Sequence, residues 1–345
     1  MSGRYDHLDE SSFRSRPSRR SSRPRTKDRP AHDDAVVGMV VGVDRGRYTV
    51  RLGEETVIAM RARELGGTRI VVGDRVAMVG DTSGEVDSLA RVVRIEERAT
   101  VLRRSADDSD TVERIIVANA DQLVIVTALA DPEPRPRMID RCLVAAYDAG
   151  LDPLLVLTKA DLADPADLLA HYTALDVPHV VSRSTDGPAG RDLDDLDSGG
   201  VEAVRAHLID RTSVLVGHSG VGKSTLVNAL VPTAYRSTGA VNATTGRGRH
   251  TSTSAVALEL VGGGWVVDTP GVRSFGLGHV DPSTFIQHFE DLAPGTLQCP
   301  RGCTHDEPDC ALDAWVRQGH AGPAGTERLE SLRRLLRSRS GEDRS

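Results

Sequence analysis

The sequence predicts three folded parts: a small N-terminal β-barrel, a central α/β domain on a mostly parallel sheet, and a small helical C-terminal part organised by a metal. Three observations lead there. Short β-rich runs separated by glycine fill residues 35–96; a strand, a glycine loop and a helix follow one another over residues 213–230; three cysteines and a histidine crowd residues 299–310. The expected division is an arm over 1–34, a barrel over 35–98, the α/β domain over 99–278, a metal-binding helical domain over 279–338 and a tail over 339–345.

A chain of 345 residues can bury two or three cores. No apolar run approaches the roughly 20 residues that cross a bilayer, and the arginine- and serine-rich start has no apolar block behind it. Neither a membrane partner nor a secretory signal is expected. Four cysteines, three of them clustered, point to a metal site in a reducing, cytoplasmic setting rather than to disulfides. Net charge is −7, yet residues 14–29 carry eight basic side chains and one acid, Asp28. Such an arm suits a phosphate backbone through salt-dependent contacts. Its composition equally fits a solvated disordered tail.

The barrel rests on strands expected at 36–43, 47–52, 56–59, 75–79 and 88–95, with turns at Asp44-Arg45-Gly46, Gly53, Gly66-Gly67 and Gly73-Asp74. Five short strands in some 60 residues read as a closed barrel, and an OB-fold is the natural candidate. Such barrels stack bases on aromatic side chains. Tyr48 is the one aromatic in this segment, so contact through charge or shape is expected instead.

Residues 103–111 are polar and read as a linker or mobile loop. Strands follow at 122–127, 153–157, 177–182, 213–216, 256–260 and 265–267, with helices at 138–149 and 201–208. Gly150 caps the first helix and Cys142 is a small core residue within it. The last two strands form a hairpin turned at Gly262-Gly263-Gly264, and 192–197 is an acidic insertion. Strands alternating with helices put ligands at the carboxyl ends of a parallel sheet.

The central signal is Gly217-His218-Ser219-Gly220-Val221-Gly222-Lys223-Ser224-Thr225, which fits G-x-x-x-x-G-K-[ST] between a strand and a helix. Backbone N–H groups and a helix start would surround a phosphate. Lys223 would reach the β- and γ-phosphates and Ser224 would hold Mg²⁺. After the next strand, Asp268-Thr269-Pro270-Gly271 offers an Asp for Mg²⁺ and a Gly N–H for the γ-phosphate. Thr158-Lys159-Ala160-Asp161 is a candidate base-reader, with Lys159 along the base plane and Ser182 in support. A carboxylate only accepts, so Asp161 meets guanine's N1 and amino donors and not adenine. The competing reading is an ordinary turn capped by Asp161. Here the base-reader precedes the phosphate loop by more than fifty residues, the reverse of ordinary small GTPases. Circular permutation at exposed connections leaves such a site intact.

Taken together, the leading barrel, TKAD, GHSGVGKST, GRGRHTSTSA, DTPGVRSF and the trailing Cys/His cluster resemble the RsgA (YjeQ) family of circularly permuted ribosome-biogenesis GTPases over roughly residues 35–335. That resemblance implies an OB domain, a permuted GTPase domain and a zinc domain. It implies a monomer that binds GTP and GDP, docks on the small (30S) ribosomal subunit and its 16S rRNA, and hydrolyses GTP late in assembly under stimulation by that subunit. Thr158 stands where the family's usual base-reader begins with Asn, which loses an amide that would brace the site.

Val272 occupies the position where many GTPases carry a water-orienting Gln, so slow intrinsic hydrolysis is expected. Residues 246–253 are the expected switch loop, with Thr251 or Thr253 completing the Mg²⁺ shell. His250 resembles the family's catalytic histidine. Nucleotide-regulated rRNA binding with negligible catalysis is the alternative, and an ATPase with a zinc domain is a third reading. Cys299, Cys303, His305 and Cys310 suit one closed, structural Zn²⁺ site, with His320 the nearest reserve ligand. A helix over 326–338 carries Leu329, Leu332, Leu335 and Leu336 on one side. Its arginines, Arg333, Arg334, Arg337 and the following Arg339, are available to the zinc domain, to rRNA, or to both.

Overall fold

In β1 (Val36–Asp44), β2 (Arg47–Leu52), β3 (Glu55–Arg61), β4 (Arg75–Gly80) and β5 (Ala90–Ile95), alternate side chains turn inward, as strand geometry requires. Val40, Val50, Val57, Ala59, Val76, Met78 and Val92 meet there as one apolar core. The strands run β1-β2-β3-β5-β4, and β4 returns to pair with β1. That closed five-stranded order is the expected OB arrangement. Arg45 at φ 44° and Gly46 at φ 85° make the tight β1–β2 turn, which needs both residues in the left-handed region. Tyr48 lies inside the barrel at 7% exposure, among the core residues, and presents no face on which a base could stack.

The computed structural model describes residues 32–104, 114–183, 198–232, 255–269, 275, 277, 280–281 and 285–340. The arm up to residue 31, the 192–197 insertion and the 246–253 loop lie outside the described residues. The linker expected over 103–111 needs correction. Residues 103 and 104 belong to β6 (Val101–Arg104), which pairs antiparallel with β7 (Arg114–Ala118). The apolar run Ile115-Ile116-Val117 was the overlooked signal. This hairpin seats the barrel. Ala118 N–H donates to Val72 O, and the Asn119 amide donates to Gly73 O at 2.9 Å. Gly73 is obligatory there, since a Cβ would lie 1.9 Å from Ala118 O. Beside it, fully buried Asp74 takes two hydrogen bonds from Arg98, at 2.6 and 2.9 Å, and one from Val71 N–H.

The central sheet runs β10 (His179–Val181), β9 (Asp152–Thr158), β8 (Gln122–Ala128), β11 (Thr212–Gly217), β13 (Trp265–Asp268) and β12 (Val256–Glu259). The first five are parallel, and β12 is antiparallel to β13 as the expected hairpin, turned by three glycines at positive φ. Parity sorts the side chains. Leu123, Ile125, Leu155, Leu157, Val214 and Val216 face α1 (Pro136–Asp148), whereas Val124, Val126, Leu154, Val156 and Leu215 face α3 (Ser198–Leu208) and α4 (Lys223–Leu230). A short α2 (Ala166–Ala170) lies between β9 and β10. Cys142 is buried in α1 at 2% exposure, as expected of a core residue. The barrel joins this sheet where Gly42 of β1 pairs with Val256 of β12, beside an Arg51–Glu259 ion pair at 3.1 Å.

The C-terminal part holds 3₁₀ turns at Ile286–His288 and Ala293–Gln298, then α5 (Ala311–Arg317) and α6 (Gly325–Ser340). Leu329, Leu332, Leu335 and Leu336 are buried in the same core as α1. The described arginines of α6 are taken up within the chain, with the loop that carries the Cys/His cluster among their partners. Arg333 bonds Asp313 and His305 O; Arg334 bonds Asp140 of α1 and His171 O; Arg337 bonds Asp306. Side-chain spacing along a helix predicts that a basic flank exists, but not whether acids fold up against it. The Arg339 side chain lies outside the described set.

Asp140 is 3% exposed and only one of its oxygens is bonded. Burial raises its pKa above the ordinary 3.8, and the Arg334 guanidinium opposes that rise. A carboxyl raised in the folded state contributes stability that is full below its unfolded pKa and is lost as pH climbs through the folded value. Arg334→Leu should therefore be least damaging below about pH 3.8 and increasingly damaging above it, by about 3 kcal/mol once Asp140 is charged and unpaired. Chemical denaturation of the variant and its parent across the acid range measures this. A penalty independent of pH would show that Arg334 acts through packing alone.

Candidate nucleotide and metal sites

Parallel pairing lines up the carboxyl ends of the central strands. Ala128 of β8 stands opposite Thr158 of β9, Gly217 of β11 opposite Val126, and Leu215 opposite Asp268 of β13. The turn at Thr158–Asp161, the glycine loop at Gly217–Gly222 and the Asp268 turn therefore leave one edge, although the chain visits them in an unusual order. Gly217 must be glycine, because a Cβ would lie 2.5 Å from Val126 O. Gly220 and Gly222 hold φ near 85° and 88°, which glycine reaches without strain. Gly222 caps α4, whose first turn offers N–H groups without helical partners. His218, Ser219 and Gly220 are at least partly exposed and Val221 is buried. Beyond Gly222, Ser224 is exposed and Thr225 partly covered.

Lys223, at the start of α4, is ion-paired with Asp268. Both are partly accessible, so cation and carboxylate stand where a phosphate and its counter-ion could separate them. Thr269 is buried and donates its hydroxyl to Leu215 O at 2.8 Å, which pins the turn after β13. Gly271 and Val272 lie outside the described residues, as do His250, Thr251 and Thr253.

The turn at Thr158–Asp161 is fastened to the glycine loop by Thr158. Its hydroxyl donates to Val221 O at 2.7 Å and lies 3.3 Å from Thr127 O. The hydroxyl supplies the brace expected to be missing without Asn. Lys159 occupies the left-handed region at φ 58°, unusual for a side chain of its size, and its ammonium meets Asp131 O. Ala160 N–H donates to Ser182 O, and Ser182 N–H donates to Leu157 O, so β10 supports the turn from behind. Ser182 is 1% exposed, and its Oγ has no partner among the described residues; it supports the turn through its backbone. Asp161 is exposed at the turn's outer end. The sequence reading missed residues 131–135, which follow β8. Pro132 packs on Gly220, and Arg135 bonds His218 at 2.8 Å. Position at the sheet's carboxyl edge was their only advance signal.

The second cluster is local. Cys299, Cys303, His305 and Cys310 bring their ligand atoms within 4.8 Å of one another. Cys299 Sγ lies 3.7 Å from His305 Nδ1 and 3.9 Å from Cys310 Sγ, and Cys310 Sγ lies 3.9 Å from His305 Nδ1. A tetrahedral zinc shell requires edges of about 3.6 Å from S to N and about 3.8 Å from S to S. These four residues fit one structural zinc ion. His320 is not among them: it packs on Trp315 and bonds Gln318. His305 holds φ 72°, a left-handed bend that closes the loop. Burial pushes the Cys303 thiol up to about 12, a proton that a bound metal displaces. Glu307 braces the loop by accepting from the backbone and hydroxyl of Thr304, which hold its carboxyl at about 2.

Comparison with known proteins agrees with this geometry. The model of the RsgA GTPase family matches residues 95–278. The chain belongs to the RsgA GTPase family. A relative from Chlorobaculum parvum, named small ribosomal subunit biogenesis GTPase RsgA, is 34% identical over 321 residues, covering 89% of this chain and 99% of its own. The crystal structure of YjeQ from Thermotoga maritima is similar at TM-score 0.62 and 27% identity, over 89% of this chain and 99% of that one. YloQ, described as a circularly permuted GTPase, shares the fold at TM-score 0.61 and 22% identity, over 92% and 100% of the two chains.

As an RsgA-family member the protein is a GTP hydrolase, and Mg²⁺ accompanies its GTP. The RsgA fold here also contains a joint that the sequence did not announce. Arg141 of α1 donates to Phe275 O, a few residues beyond the Asp268 turn, and to Ser338 O of α6 at 2.8 Å. The metal cluster yields a direct prediction. Protein prepared without chelators should carry one zinc per chain, and Cys310→Ser should bind well below one equivalent and unfold more easily. Elemental analysis with thermal melts checks this; full zinc retention in the variant would exclude Cys310 as a ligand.

Proposed function

We propose that this RsgA-family protein is a guanine-nucleotide-driven factor of small-subunit assembly: it docks on the small ribosomal subunit with GTP and leaves on hydrolysis. The observation that carries the reading is the Thr158–Val221 hydrogen bond, which ties a guanine-reading turn to a phosphate loop across 63 positions of sequence. In this reading Gly217–Thr225 cradle the phosphates, with Lys223 passing from Asp268 to the β- and γ-phosphates. Ser224, Asp268 and Thr251 attend the Mg²⁺, Gly271 meets the γ-phosphate and Asp161 reads the base. His250 positions the attacking water when the protein is on the subunit.

In this reading the domain divisions are 1–34, 35–98, 99–278, 279–338 and 339–345, and the protein acts as a cytoplasmic monomer. Its RNA partner is 16S rRNA, reached through charge and shape. One feature supports that last choice: Tyr48 is enclosed in the barrel core, which leaves no aromatic face there for a base.

Multiple-turnover phosphate release with GTP should be slow alone and rise at least tenfold with purified small subunits. His250→Ala should lower the stimulated rate by about 10²-fold, the usual worth of a positioned proton-handling group, with GTP affinity unchanged. Equal turnover with and without subunits would favour nucleotide-regulated RNA binding instead. Asp161→Asn should exchange preference from guanine to xanthine nucleotides by about tenfold or more. Xanthine replaces the amino donor by a carbonyl that the new amide can meet. Competition of GTP, XTP and ATP for binding reads this out, and an unchanged preference would remove Asp161 from base selection.

A further inference from the structure

The base-reading turn limits which edge of the purine it can touch. Thr158 is 3% exposed and ends β9, and both polar neighbours of its hydroxyl are backbone carbonyls, Val221 O at 2.7 Å and Thr127 O at 3.3 Å. A hydroxyl owns one hydrogen, and carbonyls only accept. That hydrogen is committed to the phosphate loop. The purine edge carrying N7 and O6 offers guanine's acceptors alone, so Thr158 has nothing left to donate to it. The neighbouring Lys159 directs its ammonium to Asp131 O, in the stretch after β8. Asp161, being acceptor-only, can meet donors on the opposite edge.

From this we infer that the protein recognises its nucleotide through the N1 and amino edge and is indifferent to N7, with Thr158 a positioning residue that sets the spacing of base-reader and phosphate loop without bonding the base. The inference rests on the guanine-reading assignment above. Its substrate class is wider than GTP itself: guanine nucleotides altered at N7 but intact at N1 and the amino group are bound as well as the parent.

The experiment is competition binding of GTP, 7-deaza-GTP and ATP to the full-length protein. GTP and 7-deaza-GTP within about twofold of each other, with ATP far weaker, is the expected result. A loss of about tenfold for 7-deaza-GTP, the worth of one hydrogen bond, with ATP still excluded, overturns the inference and leaves guanine selection standing. ATP bound as tightly as GTP overturns the guanine reading and this inference with it. A second measurement tests positioning. Thr158→Val should weaken GTP and 7-deaza-GTP by the same factor, about tenfold, and Thr158→Ser should restore both. A valine variant that weakened GTP but spared 7-deaza-GTP would show the hydroxyl meeting N7. If the valine variant does not fold, the wild-type comparison decides by itself.

Discussion

A parallel sheet delivers all its strands' carboxyl ends to one edge, and the nucleotide site depends on that constraint. Antiparallel pairing of β11 with its neighbour β13 would have put Gly217 and Asp268 at opposite ends of the sheet, roughly 15–20 Å apart for strands of four to six residues. Parallel registers instead set Ala128 against Thr158 and Gly217 against Val126, so turns from distant stretches of chain share one rim. Chain order then matters little. The segment from β8 to β10 can precede the phosphate loop because the sheet fixes geometry by neighbours and not by sequence. Permutation moves the termini and leaves the rim unchanged.

Edge alignment alone places turns to within several ångströms, whereas a nucleotide needs closer tolerance. Short-range devices supply the remainder. Thr158 spends its hydrogen on Val221 O, Lys159 accepts a left-handed backbone, and Ser182 exchanges backbone bonds with the turn from β10. Strain of that kind costs on the order of 1–3 kcal/mol and persists only where surroundings hold it. Here the fully buried β8 on one side and the backbone bonds of Ser182 on the other do so. The glycines at 217, 220 and 222 serve the opposite need, letting backbone approach backbone where any Cβ would intrude or strain φ.

Legibility in the sequence followed the range of the interactions involved. The five barrel strands were readable because alternation and glycine turns are local signals, and the metal cluster because four ligands lie within twelve residues. The phosphate loop was readable because its chemistry demands a fixed spacing. β6 was not, because a four-residue strand ending in two arginines declares itself only through its partner β7, beyond residues 105–113. Nor could spacing show that Thr158 braces the phosphate loop, since that bond spans 63 positions. The acids that capture α6's arginines had the same disguise: Asp140 lies 194 positions from Arg334. Asp306 and Asp313 lie closer in sequence, yet nothing in their pattern marked them as partners.

Those captured arginines change how the C-terminal part should be understood. A surface ion pair contributes little, but Arg333 and Arg334 are mostly covered and bond carbonyl oxygens as well as carboxylates. Arg333 holds His305 O, the backbone of a metal-ligand candidate, while Arg337 holds Asp306 beside it. On α6's other flank, Arg334 reaches α1, and Arg141 of α1 reaches back to Ser338 O and across to Phe275 O. Leucines fill the space between. The helix is thus a strut whose two flanks are tied to different chemistry, a zinc-type loop on one side and the chain beyond Asp268 on the other. Loss of the metal would free His305 and Asp306 first, and Arg333 and Arg337 would lose fixed partners before the buried leucine face gave way. The strut therefore separates two stabilities: the loop depends on its ion, whereas the seat of α6 on α1 depends on apolar burial and the Arg334–Asp140 pair.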